Sequence, residues 1–347
     1  MAGPAAPAGG CPSCGAPVGP QDSFCEACGT ELAPASVSSG EVGGNPGCQS
    51  CSSARVSPDG YCESCGGKVS SGRDHEELDL GLLAGVTDRG LRHHRNEDAM
   101  ALATADTVRG PVALAVVCDG VSTSARPDEA SLAAAQAAAS VLLTAVRAGD
   151  DLLEASSQAV RTAGEAVDSL AGPAEDVPSA TLVSAVLTSE AVTVCWLGDS
   201  RAYWLADAAG SAAQQLTRDD SLAAEMVARG LLAEADALAS PHAHVLTRWL
   251  GADPGESVPH VARFEPPGPG VLLLCSDGLW NYLPEAADLA GLAMPGALTR
   301  PLAAAAALVT FAIDAGGADN ITAVLAPFPP TRPAPAVTEG PPGAAAR

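Results

Sequence analysis

Val112-Ala-Leu-Ala-Val-Val-Cys-Asp-Gly120 is a short, unbroken apolar run that ends on a carboxylate. Two other stretches share this form: residues 271–276 run into Asp277-Gly278, and Asp319-Asn320 precedes the apolar residues 321–326. Runs this short, continuous and rich in Val, Leu or Ile predict buried strands. A carboxylate at such a strand end needs a partner to offset its desolvation. No basic residue flanks any of the three, so a shared divalent cation is the simplest partner. Oxygen-only ligands favour Mg²⁺ or Mn²⁺.

Working outward, further strands are predicted at 80–87, 99–103, 180–188, 192–197, 202–205 and 258–264. Helices are predicted at 127–148 and 151–170, with two more near 222–228 and 302–315. Leu132, Ala135, Ala139, Leu142 and Leu143 share one face of the first helix. Val160, Ala163, Val167 and Leu170 share one face of the second. Strands in runs, with helices in segregated pairs, predict an α+β fold with antiparallel sheets.

Eight of the 11 cysteines fall in the first 65 residues. Cys11 and Cys14 pair with Cys25 and Cys28; Cys48 and Cys51 pair with Cys62 and Cys65. The two C-x-x-C pairs of each set are ten residues apart, and two such pairs complete a tetrahedral thiolate site. Units this small draw their folding free energy from the metal. Two Cys₄ zinc sites are therefore expected, and residues 11–67 resemble a double zinc ribbon. The ribbon region carries Arg55 and Lys68 against Asp22, Glu26, Glu31, Glu41, Asp59 and Glu63. That balance favours protein contact or a structural role over nucleic acid. Asp59-Gly60 reads as a turn. Residues 33–47 read as a flexible linker, 68–79 as a second linker, and 329–347 as a disordered tail. Cys118, Cys195 and Cys275 lie inside apolar runs and read as small buried hydrophobes.

The chain has 347 residues and a net charge of −23, with Lys68 its one lysine. Nucleic acid and anionic membranes are poor partners for such a charge. No run reaches the roughly 18–20 apolar residues of a membrane span; the longest candidate is 302–313. The first ten residues lack the pattern of a secretory signal, so the expected location is cytoplasmic. His93-His94 and His242/His244 lack ligand spacing with nearby cysteines or carboxylates and read as surface or loop residues.

Asp-Gly alone is a turn dipeptide, and its company is what gives it weight here. Arg95-Asn-Glu-Asp98 precedes a strand, and Trp196-Leu-Gly-Asp-Ser-Arg-Ala-Tyr203 joins two strands. Leu216-Thr-Arg-Asp-Asp-Ser221 opens a helix, and Leu246-Thr-Arg-Trp-Leu-Gly251 precedes Asp277-Gly-Leu-Trp280 and Asp319-Asn320. From about residue 80 to 326 this set resembles the metal-dependent PPM (type 2C) protein phosphatases. The resemblance implies a four-layer α-β-β-α sandwich of two antiparallel sheets, with a phosphatase domain at 80–328. It implies hydrolysis of phosphoserine and phosphothreonine with two Mn²⁺ or Mg²⁺ ions, by a water activated between them. By resemblance, Asp119 bridges the ions, the Gly120 carbonyl ligates one, and Asp277 and Asp319 hold the other. Glu97 and Asp98 act through bound waters, and Asp199 matches the place of a third, weaker ion in bacterial relatives.

The sequence departs from that pattern in four places. Val121 replaces a histidine found in many eukaryotic members, and Ser122-Thr123-Ser124 replace small glycines. His93 falls where an arginine usually grips the phosphate. Arg92 or Arg95 would take that role, and Arg92 is preferred. Asp220 stands where some members have histidine, in the flap over the site.

The expected protein is thus a Ser/Thr phosphatase whose ribbons dock a protein, and whose partners are phosphoproteins and a Ser/Thr kinase. The alternative is a catalytically weak scaffold of the same fold that binds a signalling partner through the ribbons.

Overall fold

The computed structural model describes residues 9–10, 17–18, 38–39, 51, 55, 62–65, 72–172, 177–206, 212–237, 240, 244–251 and 258–331. Three short strands come first: β1 (Gly9–Gly10), β2 (Pro17–Val18) and β3 (Ser38–Ser39). Then follow β4 (His75–Asp79), β5 (Ala84–Asp88), β6 (Asp98–Thr107), β7 (Gly110–Asp119), α1 (Pro127–Ala148) and α2 (Leu152–Asp168). β8 (Leu182–Leu187), β9 (Val192–Leu197), β10 (Arg201–Ala206), β11 (Gln214–Gln215), α3 (Leu222–Ala228) and α4 (Glu234–Ala237) form the middle. β12 (His260–Phe264), β13 (Gly270–Cys275), α5 (Asp277–Trp280), α6 (Ala286–Ala297), α7 (Pro301–Asp314) and β14 (Ile321–Phe328) complete the chain.

Two six-stranded antiparallel sheets result, in the orders β11-β10-β13-β14-β5-β4 and β12-β9-β8-β7-β6-β3. Alternation along each strand explains why the apolar runs are continuous. On β7, Val112, Leu114, Val116 and Cys118 pack against α1 and α2, while Ala113, Ala115 and Val117 face the other sheet. On β13, Leu272 and Leu274 face inward between the sheets, while Val271, Leu273 and Cys275 pack against α6 and α7. Every central strand is therefore covered on both faces, which gives the expected four layers.

Local signals set the helix ends. Pro127 starts α1, and left-handed Gly149 (φ 74°) ends it. The Asp151 side chain accepts from the backbone N–H of Leu153 and Glu154 at the start of α2. Leu132, Ala135, Ala139, Leu142 and Leu143 are in the core, as the periodicity predicts. Leu170 lies past the end of α2 and outside that core.

Several expectations are corrected. The predicted strand 80–87 is half of a hairpin, β4–β5, that begins inside the stretch read as linker. Its turn is made by the Asp79 carboxylate, which accepts from Gly81 N–H, and by left-handed Gly81. Helix α6 was not expected from the sequence, and it forms although Gly291, Pro295 and Gly296, residues unfavourable in a helix, lie within it. In the stretch read as a flexible linker, Ser38 and Ser39 pair with Leu102 and Ala101 at the edge of the second sheet. α1 is long and apolar enough to cross a membrane by length and composition, contrary to the sequence reading. It is mostly buried, as the core helix of a sandwich should be.

Candidate metal centre

The site lies where β6, β7, β13 and β14 end together. The antiparallel register of β6 and β7 sets Asp98 directly opposite Asp119. Like charges facing each other across a ladder are unfavourable unless something positive stands between them. Ser276, at the end of β13, donates to Asp98 Oδ2 at 2.7 Å, and Thr322 of β14 does the same at 2.7 Å. These two bonds tie the end of one sheet to the other. They occupy one oxygen of Asp98, and the other, Oδ1, is buried with no partner. Asp277 Oδ1 is also buried and unpartnered.

The electrostatics follow from this crowding. Burial pushes Asp98 up to about 7 against the opposing hydrogen bonds from Thr322 and Ser276, and Asp319 and Asp277 push the same way. Asp277 is pushed up to about 7 by burial and by Asp319. Asp119 and Asp199 are raised well above the ordinary carboxylate range, again by burial and then by neighbouring aspartates. A cluster of carboxylates that disfavour their own ionisation, with oxygens aimed at no donor, is a cradle for cations.

Both Asp-Gly glycines serve close approach, and neither has a positive φ. A Cβ on Gly120 would collide with the backbone of Pro127 and Glu97, and one on Gly278 with the Asn320 carbonyl. The Gly120 N–H donates to Glu97 O at 3.1 Å, which locks the β7 end against the Arg95–Asp98 segment. Oxygen donors on hard, closely packed backbone suit Mg²⁺ or Mn²⁺.

Other sequence-named residues fall around this centre. Glu97 is buried, accepts from Ser122 Oγ at 2.6 Å, and pairs with Arg95 at 3.2 Å. Arg95 also reaches Asp128 at 3.3 Å. His93 Nε2 lies 3.1 Å from Asp319 Oδ1, and its Nδ1 lies 3.8 Å from Glu97 Oε2. Arg92 is exposed, and among the described residues no ion pair or hydrogen bond holds it. Asp199 follows left-handed Gly198 in the turn between β9 and β10. Asp220 is buried and accepts from Gly198 N–H at 3.1 Å and from Arg248 at 3.3 Å, with His260 Nε2 2.9 Å away. The histidines are thus not the bystanders their sequence spacing suggests: His93, His244 and His260 each meet a carboxylate brought in from elsewhere in the chain.

Sequence reasoning missed the residues that hold this frame. Asn320 accepts from Glu97 N–H at 2.8 Å and donates to the Arg89 and Arg95 carbonyls at 2.8 and 3.0 Å. Asn96 donates to Thr87 Oγ1 at 2.9 Å, and the Thr87 hydroxyl shares a 2.7 Å bond with Thr322. Arg73, inside the stretch read as linker, donates to the Asp98 and Asp128 carbonyls at 2.9 Å. Arg201 grips Asp219 with two bonds, at 2.9 and 2.7 Å, and lies over the Trp280 ring. The available signal was the Asn beside each acidic motif: a buried amide can both donate and accept.

Near the N-terminus, the sulfurs of Cys51, Cys62 and Cys65 lie within 4.8 Å of one another. Burial works to raise the Cys62 thiol, but backbone N–H donors of Ser64 and Cys65 outweigh it, with help from the Cys51 and Cys65 side chains. The result is about 6. Thiolate character and this grouping fit a zinc ligand set. Cys11, Cys14, Cys25, Cys28, Cys48 and Asp59-Gly60 lie outside the described residues, as does most of the predicted tail. Cys118, Cys195 and Cys275 are buried, and burial pushes each thiol up, which leaves them unreactive.

A profile described as protein phosphatase 2C matches residues 90–307, and one described as a double zinc ribbon matches residues 11–66. The chain is 30% identical over 245 residues to the serine/threonine phosphatase stp of Listeria innocua serovar 6a, spanning 69% of this chain and 92% of the relative. Among solved structures it resembles the PPM Ser-Thr phosphatase MsPP from Mycobacterium smegmatis in complex with cacodylate. That match has 30% identity and a TM-score of 0.58, over 70% of this chain and 97% of the other. The catalytic domain of serine threonine protein phosphatase PstP in complex with two manganese ions matches at 25% identity. Its TM-score is 0.54, over 70% of this chain and 96% of that one.

Proposed function

Because the chain belongs to the protein phosphatase 2C family and is a metal-dependent protein serine/threonine phosphatase, we propose how its own residues divide the work. Asp119 would serve both of two Mn²⁺ or Mg²⁺ ions, the Gly120 carbonyl one of them, and Asp277 and Asp319 the other. When bound, such ions lower the pKa of water and offset the charge of the phosphoryl oxygens. The protein's part is to hold the donors still. Asp98, tethered by Ser276 and Thr322, keeps a single oxygen pointed into the centre. Glu97, fixed by Ser122 Oγ and its own backbone bond to Asn320, orients solvent at the rim. Arg92 grips the substrate phosphate, since it is exposed while Arg95 is committed to Glu97 and Asp128.

The observation that carries this reading is the pair of buried, unpartnered oxygens on Asp98 and Asp277, facing other carboxylates at the ends of two sheets. The substrates are phosphorylated proteins, with a Ser/Thr kinase acting in the opposite direction. The ribbons serve as a protein-docking module, and the acidic chain works in the cytoplasm away from nucleic acid and membrane surfaces. The test is hydrolysis of a phosphothreonine peptide with and without Mn²⁺. Asp119→Asn or Asp277→Asn should lower turnover by at least about 100-fold. Turnover that survives these changes, or never needs metal, contradicts the reading.

A further inference from the structure

The outer side of β6 meets the chain's own inter-ribbon stretch. On its inner side β6 pairs with β7 along its whole length, from Asp98 opposite Asp119 to Thr107 opposite Gly110. On its outer side, among the described residues, β3 alone pairs with it, with Ser38 opposite Leu102 and Ser39 opposite Ala101. Alternate residues of a strand turn their N–H and C=O away from any one neighbour, so an edge left bare invites another strand. Natural edges are blunted by charge, proline or a bulge. From Ala99 to Ala105 β6 reads Ala-Met-Ala-Leu-Ala-Thr-Ala, with neither charge nor proline. Its register with β7 is unbroken, so no bulge turns it aside. Ala101, Leu102 and Ala103 are fully buried, and β3 lies against α1 as well as β6.

A second attachment falls on the same strand. Arg73 donates to Asp98 O, at the first residue of β6, at 2.9 Å. The second ribbon stands between these two attachments in sequence: Cys48 follows Ser39 by nine residues, and Arg73 follows Cys65 by eight. An extended chain covers at most about 3.5 Å per residue, so both ends of this ribbon are tied within about 30 Å of β6. The ties are spaced by the rise from Asp98 to Ala101, about 10 Å along the strand. Asp98 also belongs to the metal centre, so the ribbon is moored beside it.

We propose that the outer edge of β6 is a strand-acceptor site whose occupant is the segment around Ser38-Ser39 of the same chain. Main-chain pairing of this kind supplies affinity without a demand on side chains. Together with Arg73, the docked strand moors the second ribbon at both ends, and a protein captured by the ribbons is then held within reach of the metal centre. That last consequence rests on the docking role proposed above; the pairing itself does not.

The test is hydrogen exchange on the zinc-loaded full chain, read by mass spectrometry. Residues 99–105 should be protected in the unaltered protein, and the protein should be monomeric. The double variant Ser38→Pro, Ser39→Pro removes both N–H donors and cannot hold a ladder. Exchange at 99–105 should then rise at least about 10-fold, while β7 and β13 stay protected and two zinc ions per chain are retained. A synthetic peptide of residues 33–47, added in excess to that variant, should restore the protection, and this arm decides even if the variant loses zinc. Equal exchange at 99–105 in the unaltered chain and the variant overturns the inference, as does a peptide that restores nothing. Protection that disappears on dilution, with a dimer at high concentration, also overturns it, because the strand then comes from a second copy.

Discussion

The molecule holds two groups of metal-seeking side chains that differ in what surrounds them. Around Asp98, Asp119 and Asp277, two covered sheets and two helix pairs build a frame with its own apolar cores. Around Cys51, Cys62 and Cys65, the neighbouring chain is poor in apolar residues, and Cys62 alone of the three is buried. In the first, the ion relieves charge that the fold has already concentrated. In the second, the ion supplies the folding free energy. Withdrawing metal should therefore leave the first frame folded but less stable, and unfold the second.

The largest expected effect follows at the thiols. Cys62→Ser, or zinc removal by a strong chelator, should unfold the second ribbon outright. Hydrogen exchange would show residues near 51–65 fully unprotected while β7 and β13 remain protected. Joint loss of both regions would mean that the ribbon and the sandwich fold as one unit.

Next in size is Asn320→Ala, which leaves every proposed ligand in place. It frees Glu97 N–H and two carbonyls. A drop of about 10- to 100-fold in Mn²⁺ affinity, measured by calorimetry, is expected for loss of an orienting partner. An unchanged affinity would show that the Arg95–Asp98 segment is held without it.

The pH response sharpens the contrast further. Asp98 and Asp277 sit near 7 in the folded, ion-free protein and have an ordinary value of 3.8. Between these values the folded chain holds more protons than the unfolded one, so stability falls as pH rises. Without divalent ions, the melting temperature of the sandwich should drop by on the order of 5 °C between pH 5 and pH 8. Saturating Mn²⁺ should cancel the drop. A rise over that range would mean that the carboxylates are already compensated.

The smallest effect concerns the boundary between the two regions. Removing residues 1–70 should change turnover of a phosphothreonine peptide by less than about 2-fold. Removing residues 1–80 takes away β4 and Arg73, whose guanidinium holds the Asp98 and Asp128 carbonyls. That longer deletion should lower the melting temperature as well as turnover. Equal behaviour of the two deletions would contradict the role given to Arg73.

What could be read in advance follows the range of the forces involved. Buried strands, helix faces and C-x-x-C pairs are local patterns, and α1, α2, β7 and β13 appear where periodicity places them. The acids at strand ends were legible because each ends an apolar run. Their mutual placement depends on register, as with Asp98 opposite Asp119, and register appears only once strands pair. Asn320 acts on Glu97 across 223 residues, and Ser276 on Asp98 across 178. No window of sequence contains such pairs. His244 was misjudged for the same reason: its carboxylate partner, Asp277, arrives through tertiary folding. The β4–β5 turn was missed because Asp79 was read as the end of a linker and Leu80-Gly81 as the start of a strand, although the Asp side chain and the left-handed Gly are turn chemistry.

The central claim is that the carboxylates at the sheet ends are compensated by bound divalent ions. Anomalous diffraction at the manganese edge from Mn²⁺-soaked crystals tests it most directly. The account predicts strong peaks against Asp119 and Asp277, with Asp319 beside one of them. Crystals that take up no manganese there, with those carboxylates satisfied by His93, Arg201 or one another, would contradict it.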